Sequence, residues 1–215
     1  MDDHALVGGA LTMALQARGF AARFVSPADL VATLGEPAPV GGLVLLDLEL
    51  GLDVDGADLV PRLRQSGWRV LLVTGSTKEM RAAAAIAAGA IGLVPKCSPF
   101  DDLVEAAVRA AEGRTLIDAE ERARLCALAA EAERDSEQHR LRWERLTPRE
   151  LEIVDCIAAG KRPAAIAEEF VVSVATVRTQ IKSILGKLEL NSQLEIAASD
   201  RTHRSSRARR SNGTR

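Results

Sequence analysis

The strongest pattern in the chain lies between residues 146 and 198, where apolar positions recur with the spacing of short helices. Thr147 and Glu150 have the spacing of a capping box, and Pro148 suits the first helical position, so a helix is predicted from Pro148. Gly160 ends this helical pattern. The predicted inward face of the helix consists of Leu151, Val154, Ile157 and Ala158.

Two more helices follow at close spacing. One is predicted over residues 163–170, Val171 and Val172 form a turn, and Ser173 caps a longer helix over residues 174–188. The inward face of the longer helix consists of Val177, Ile181, Ile184, Leu185 and Leu188, and a last helix begins after Asn191-Ser192. Two short helices joined by a tight turn, with the second one longer and basic, are typical of a DNA-binding helix-turn-helix.

In the first half of the chain, short apolar runs alternate with helical patterns. Strands are predicted over residues 21–25, 43–48, 70–74 and 91–94. Helices are predicted over residues 4–18, 27–34, 57–64, 78–88 and 99–111, and Pro61 should bend or shorten the third of them. Such alternation favours a parallel sheet covered on both faces, with its chemistry at the carboxyl ends of the strands.

Polar side chains stand at those strand ends. Asp47 closes one strand, Thr74 closes the next, and Lys96 lies just past a third, while Asp2 and Asp3 stand where an earlier strand would end. Two or three carboxylates can hold Mg²⁺, which prefers oxygen ligands. A lysine can neutralise a phosphoryl oxygen, and a threonine hydroxyl can donate to another. Together these residues predict a site that accepts a phosphoryl group.

Charge is distributed unevenly along the chain. Residues 1–112 have 9 Lys and Arg against 14 Asp and Glu, residues 113–145 have 7 against 8, and residues 146–215 have 12 against 8. Only the second half is therefore expected to meet nucleic acid. Residues 201–215 have six arginines and no acid, so they are predicted to be disordered, either as a nonspecific phosphate-binding arm or as a solvated tail.

The remaining composition excludes several classes of site. The three cysteines are far apart without a CxxC pair, which argues against a disulfide framework or zinc site and favours a reducing cytosol. The three histidines are scattered, so none is assigned to catalysis or metal binding. The longest apolar run is too short to span a bilayer. Residues 118–142 predict a helical linker with an apolar repeat too brief to indicate a coiled coil strongly.

The second half closely resembles the DNA-binding domain of LuxR/NarL-type transcription regulators. The matching landmarks are LTPRE at the first helix, the Gly160 stop, AAIAEEF, SVATVRTQI and Lys187-Leu188. The resemblance implies that the basic face of the longer helix contacts DNA, through Thr176, Arg178, Thr179, Lys182 and Lys187. The alternative is a generic helical bundle with a charged outer face.

The first half resembles the receiver domain of two-component response regulators. The landmarks are DDHALV at 2–7, VLLDLEL at 44–50, Asp55-Gly56, LLVTG at 71–75 and GAIGLVPK at 89–96. The resemblance implies that Asp47 is the phosphoacceptor and that Thr74 and Lys96 contact the phosphoryl group. It also implies that Mg²⁺ is bound by Asp2, Asp3, Asp47 and the Glu49 backbone carbonyl.

Two departures from the receiver pattern matter. The family commonly has Tyr or Phe at the position of Leu93, and this chain has no Tyr, which places the coupling of phosphorylation to output in doubt. The family also has a whole central strand before the Asp2-Asp3 pair. Either the sheet is closed another way, the receiver is degenerate, or the recorded start is a few codons late. The late start is favoured, because helix 4–18 and everything after it look intact.

The sequence therefore predicts an α/β, flavodoxin-like receiver, N-terminally truncated, over residues 1–114, and an all-α four-helix helix-turn-helix domain over 144–200. A helical linker spans residues 115–143, and a disordered tail spans 201–215. The expected function is that of a cytoplasmic, bacterial, sequence-specific transcription regulator controlled by phosphorylation of Asp47, and not of an enzyme. Its expected partners are double-stranded DNA, a sensor histidine kinase, a second copy on DNA and, as a candidate, RNA polymerase, with no membrane.

Two alternatives stay open. The first is a phosphorylation-independent regulator with a degenerate pseudo-receiver. The second is a small flavodoxin-like phosphatase that uses Asp47 as its nucleophile, against which the helix-turn-helix argues. The sequence leaves the operator, the regulated genes, the kinase and the direction of regulation open.

Overall fold

The computed structural model describes residues 3–26, 29, 37–50, 55–75 and 79–212, with the side chains of residues 6–205 within those ranges. The chain divides into two compact units, residues 1–131 and residues 132–215. The division falls inside the segment predicted as the linker. Among the described residues, no helix is both long and apolar enough to cross a lipid bilayer.

The first unit contains a three-stranded parallel sheet in its described part. The strands are β1 (Leu43–Leu46), β2 (Arg69–Thr74) and β3 (Gly92–Pro95), in the order β1-β2-β3. Leu45 lies opposite Leu71, and Val73 lies opposite Val94. The helices of the unit are α1 (Asp3–Ala17), α2 (Gly56–Gln65), α3 (Glu79–Ala87), α4 (Phe100–Ala111) and the start of α5 (Ala119–Glu144).

Helices cover both faces of this sheet, as predicted. The alternation of side chains along β2 places Val70 and Leu72 in one core and Leu71 and Val73 in another. The first core includes buried residues of α2 and α3, and the second includes buried residues of α1 and α4. Side chains on both faces of β2 are therefore buried away from solvent, which explains its uninterrupted apolar sequence.

Three expectations for the first unit have different outcomes in the structure. Residues 21–25 do not form a strand, because the described residues offer them no neighbouring strand, and Phe24 instead lies against Gly8 of α1. Pro61 neither ends nor shortens α2, which runs on to Gln65 because its apolar side chains are buried. The predicted helix at 27–34 lies, apart from Asp29, outside the described residues.

Helix α5 has residues in both units. Near its start, Leu125 is buried in the core of the first unit, with Leu128 and Ala129 packed against that core. Near its end, Trp143 is buried in the core of the second unit. These apolar residues of the predicted linker, which a coiled coil would have needed, therefore pack within the first unit.

The second unit contains α6 (Pro148–Ala158), α7 (Pro163–Glu169), α8 (Val174–Leu188) and α9 (Gln193–Asn212). Their shared core includes Ile153, Val154, Ile157, Ile166, Val177, Ile181, Ile184, Leu188 and Ile196. The predicted inward face of α6 was wrong at Leu151 and Ala158, which are exposed. Ile153 and Cys156 are buried instead, so the buried face of α6 consists of the pairs Ile153-Val154 and Cys156-Ile157.

The predicted disorder of residues 201–215 was wrong up to Asn212, because α9 continues to that residue. Arg204 explains part of this extension. Its guanidinium pairs with Asp200 one turn earlier, at 2.8 Å, and with Asp155 of α6. Residues 213–215 lie outside the described part of the chain.

Candidate functional sites

The first candidate site lies at the carboxyl ends of the three strands. Asp47 follows β1, Thr74 ends β2 and Lys96 follows β3, and neighbouring parallel strands bring such ends together. The Lys96 Nζ donates to Asp47 Oδ2 at 2.5 Å, and the Lys96 backbone N–H donates to the Thr74 carbonyl at 2.9 Å. The Thr74 side chain is buried. The structure therefore brings these three predicted residues together.

The loop after β1 is shaped by backbone contacts around Asp47. The Glu49 N–H donates to Asp47 Oδ1 at 3.0 Å, and Glu49 forms an isolated antiparallel bridge with Asp55. The Gly56 N–H donates to the Leu48 carbonyl at 3.2 Å. A Cβ on Gly56 would lie 2.2 Å from the Asp47 carbonyl oxygen, so only glycine fits there. The Asp55-Gly56 landmark thus brings the start of α2 against the backbone of Asp47.

Arg81 of α3 is a member of this site that the sequence analysis missed. Its Nε donates to Asp55 Oδ2 at 2.9 Å, its Nη2 donates to the Leu48 carbonyl at 2.6 Å, and its Nη1 lies 3.6 Å from Glu49 Oε1. The hydrogen bond to Asp55 is the main cause that raises the pKa of Arg81, and the charges of Glu49 and Asp47 add to it. The available signal was a single arginine within an alanine-rich helix.

The predicted magnesium ligands are only partly described. Asp2 lies outside the described residues, and Asp3 begins α1 without a described side chain. Among the described residues, no three His, Cys, Asp or Glu side chains are grouped as a metal site. Asp47 and the Glu49 carbonyl are oxygen ligands of the kind that Mg²⁺ takes, and Asp47 lies at the carboxyl end of its strand beside Lys96. The described donors fit the ion in chemistry and would supply part of its coordination.

The second candidate site is the outer face of α8. Ser173 caps this helix, since its Oγ accepts the Thr176 N–H at 3.0 Å. The inward positions of α8 are buried in the core of the second unit, which leaves Arg178, Thr179 and Lys182 exposed on the other side. Within the described part of the chain, Arg178 and Lys182 have no ion pair or hydrogen-bonded side-chain partner. Two cations without a partner in the described part of the chain therefore lie on an exposed helix face.

The two other predicted DNA contacts are engaged within the protein. The Thr176 hydroxyl shares a hydrogen bond of 2.8 Å with the Ser173 hydroxyl, although Thr176 is exposed. Lys187 is half-buried, and its Nζ donates to Glu150 Oε2 at 2.6 Å. Their contacts with DNA stay predictions, and for Lys187 a contact would require exchange of its partner.

Glu150 joins the start of α6 to the end of α8. It completes the predicted capping box with Thr147, and it also accepts the Ser183 hydroxyl at 2.8 Å and the Lys187 ammonium. Burial by itself would raise the pKa of Glu150, but the bonds from Lys187, Thr147 and Ser183 outweigh burial and lower the pKa to about 2. This buried carboxylate therefore joins α8 to the capped start of α6.

Comparisons with known proteins identify the family of each part of the chain. The family described as "Response regulator receiver domain" matches residues 1–108, half of the chain. The family described as "Bacterial regulatory proteins, luxR family" matches residues 144–199. The chain belongs to the two-component response regulators with a LuxR-type helix-turn-helix domain. Proteins of this family are DNA-binding transcription regulators and are generally not enzymes.

Individual relatives cover most of the chain. The transcriptional regulatory protein LiaR of Bacillus subtilis is 27% identical over 92% of each chain. The nitrate/nitrite response regulator NarL of Escherichia coli is 31% identical over 72% of this chain and 71% of its own. A solved RcsB–DNA complex is similar with 20% identity and a TM-score of 0.45, over 92% of this chain and 94% of the RcsB chain.

Proposed function

We propose that Asp47 accepts a phosphoryl group and that this event controls DNA binding by the exposed face of α8. The observation that carries the first part is the meeting of Asp47, Thr74 and Lys96 at three adjacent strand ends. The Asp47 carboxylate can act as a nucleophile. The Lys96 ammonium, 2.5 Å away, can stabilise the negative charge of the phosphoryl group that Asp47 receives.

In the proposed reaction, an Asp47 oxygen attacks the phosphorus of a phosphorylated histidine on a sensor kinase. The P–N bond of the donor breaks, and the phosphoryl group remains on Asp47. Lys96 then moves from the Asp47 carboxylate to a phosphoryl oxygen, and the Thr74 hydroxyl donates to another. Asp47 and the Glu49 carbonyl, with Asp2 and Asp3, would hold Mg²⁺, which neutralises part of the phosphoryl charge.

For the DNA interface, the supporting observation is that Arg178 and Lys182 are exposed and have no partner among the described residues, on a capped helix whose other face is buried. A helix of this kind fits the major groove, where arginine can bind a guanine edge with two hydrogen bonds. We propose that a second copy binds beside the first on a two-half-site operator. We also propose that the protein acts in the cytoplasm, where its DNA operator would lie.

Phosphorylation is tested by incubating the full chain with radiolabelled acetyl phosphate and MgCl₂. The wild type should acquire label that is absent from Asp47→Asn. The matched control is Asp101→Asn, which removes an exposed carboxylate at the start of α4 and should leave labelling unchanged. Label retained by Asp47→Asn would place the phosphoryl group elsewhere and refute the assignment. An unlabelled wild type would favour the pseudo-receiver, and steady release of phosphate would favour the phosphatase.

DNA recognition is tested by selecting a binding sequence from random duplexes and comparing Arg178→Ala on that sequence and on random DNA. If Arg178 reads a base edge, the variant should lose about 1–3 kcal/mol on the selected sequence and little on random DNA. Arg134→Ala removes another exposed arginine of the same unit and serves as the control for lost charge. Equal losses on both kinds of DNA would make Arg178 a phosphate contact, and unchanged binding would remove it from the interface.

A further inference from the structure

Arg81 is the one basic side chain of α3 among the described residues, and it is directed at the loop that follows Asp47. Its guanidinium contacts three groups of that loop: the Leu48 carbonyl, the Asp55 carboxylate and the Glu49 carboxylate. All three belong to the segment between the end of β1 and the start of α2. One side chain therefore holds both ends of the loop that begins at the phosphoacceptor.

The contacts of Arg81 are of a kind that resists exchange with water. Only 24% of the Arg81 side chain and 21% of the Asp55 side chain are exposed, and Asp55 receives both Nε and Nη2 at 2.9 Å. A two-pronged contact between a guanidinium and a carboxylate fixes direction as well as distance. This arrangement is more confining than an exposed pair, such as the one between Arg114 and Glu112.

The Leu48 carbonyl is the point at which Arg81 acts on Asp47. This oxygen accepts the Gly56 N–H at 3.2 Å and Arg81 Nη2 at 2.6 Å, and it belongs to the residue directly after Asp47. The Leu48 side chain is fully buried, so the peptide has little freedom on that side. Displacement of the guanidinium would release the carbonyl, and with it the backbone that orients the Asp47 carboxylate.

We infer that Arg81 is a positioning residue for Asp47, holding the phosphoacceptor loop and joining it directly to α3. The inference rests on the proposed function only for the role of Asp47, since the contacts themselves do not depend on phosphorylation. Phosphorylation replaces the single charge of the Asp47 carboxylate by the roughly double charge of an acyl phosphate, which competes with Asp55 for the guanidinium. Helix α3 would then respond to the charge at Asp47 without an aromatic ring at position 93.

The inference is tested on the unphosphorylated full chain by amide hydrogen exchange. In Arg81→Gln, the amides of Glu49 and Gly56 should exchange about tenfold faster or more, since hydrogen bonds to charged groups hold them in place. Arg81→Lys keeps the charge but lacks the fork that reaches Asp55 and Leu48 together, so it should give an intermediate rate. Arg62→Gln, on the exposed face of α2, is the matched control and should match the wild type.

Two results would overturn the inference. One is unchanged exchange at Glu49 and Gly56 in Arg81→Gln. The other is faster exchange that extends equally to β2 and β3, because Arg81 would then support the whole unit rather than the loop. Where the wild type is labelled by acetyl phosphate, Arg81→Gln should also lower the labelling rate while Arg62→Gln does not. An unlabelled wild type would count against the proposed function and leave the exchange result standing.

Discussion

At the scale of single residues, the backbone beside Asp47 leaves no room for a side chain at Gly56. A Cβ there would meet backbone atoms, the Asp47 carbonyl oxygen at 2.2 Å and the Leu48 Cα at 2.9 Å, which cannot rotate away. Gly56→Ala should therefore lower the free energy of unfolding of the first unit by about 1–3 kcal/mol. Urea unfolding followed by Trp68 fluorescence, in a chain with Trp143→Phe, measures this change.

The matched control for Gly56 is Gly9, which also lies in a helix of the first unit. A Cβ on Gly9 would meet nothing within 4 Å. Gly9→Ala should stabilise the unit by about 0.5–1 kcal/mol, because alanine loses less backbone entropy in a helix than glycine. An equal effect of the two substitutions would show that the Gly56 contact relaxes without cost.

The lowered pKa of Glu150 makes the stability of the second unit depend on pH. Its pKa is lowered to about 2 in the folded chain, below the ordinary value of 4.5 that it regains on unfolding. Its contribution is therefore fully present above about pH 4.5 and is lost as the pH falls towards 2. Glu150→Gln should weaken the unit at pH 7 by about 2 kcal/mol or more, and the difference from the wild type should shrink between pH 4.5 and pH 2.

This pH dependence can be measured by urea unfolding at a series of pH values, followed by Trp143 fluorescence in a chain with Trp68→Phe. Glu152→Gln is the control, because Glu152 forms an exposed ion pair with Arg149 on the surface of α6. A difference between Glu150→Gln and the wild type that is constant from pH 7 to pH 2 would contradict the role of the ionised carboxylate.

At the scale of elements, the turn between α7 and α8 carries backbone strain. Val171 has φ 54°, in the left-handed region that a β-branched residue avoids, and its side chain is 90% exposed. Val171→Gly should relieve this strain and raise the stability of the second unit by up to about 1 kcal/mol, after the added entropy of the unfolded chain. Chemical unfolding of the full chain measures it.

Val172 provides the comparison for this turn, because it has no positive φ and is less exposed. Val172→Gly should destabilise the unit, as it adds chain entropy without relieving strain. If Val171→Gly destabilised the unit to the same extent, the left-handed backbone at position 171 would be without cost.

Elements with strong local signals were predicted from the sequence to within a residue or two. The helix from Pro148 and the helix over 174–188 are examples, since a capping side chain fixes each start and a repeating apolar face fixes each length. The strand predicted over residues 21–25 was wrong for the opposite reason. A strand exists only through its neighbours, and apolar composition alone does not supply one.

The same distinction applies to the candidate sites. The meeting of Asp47, Thr74 and Lys96 could be predicted, because it follows from parallel strands and from the residue at each strand end. The contacts of Arg81 with Asp55, and of Lys187 with Glu150, span 26 and 37 residues of sequence. They depend on the rotation of one helix against its neighbours, which periodicity does not determine to within one side chain.

At the scale of the whole molecule, the two units differ in charge as they differ in fold. The acidic receiver unit ends within α5, and basic residues outnumber acidic ones only from residue 146 onward. The resulting expectation is that the second unit alone supplies the electrostatic part of DNA binding. Removing its last residues tests whether their arginines contribute to this electrostatic part.

Deletion of residues 206–215 removes four of the six arginines after residue 200 and keeps Arg204, which anchors α9 to Asp155. If the removed arginines contact phosphates, the slope of log affinity against log salt should become shallower by about 0.9 per lost contact, on specific and random DNA alike. Fluorescence anisotropy between about 50 and 200 mM salt measures the slope. Replacing the same four arginines with glutamine, at unchanged length, should give the same slope as the deletion. A slope equal to that of the wild type in both variants would make residues 206–215 a solvated end of the helix with no part in binding.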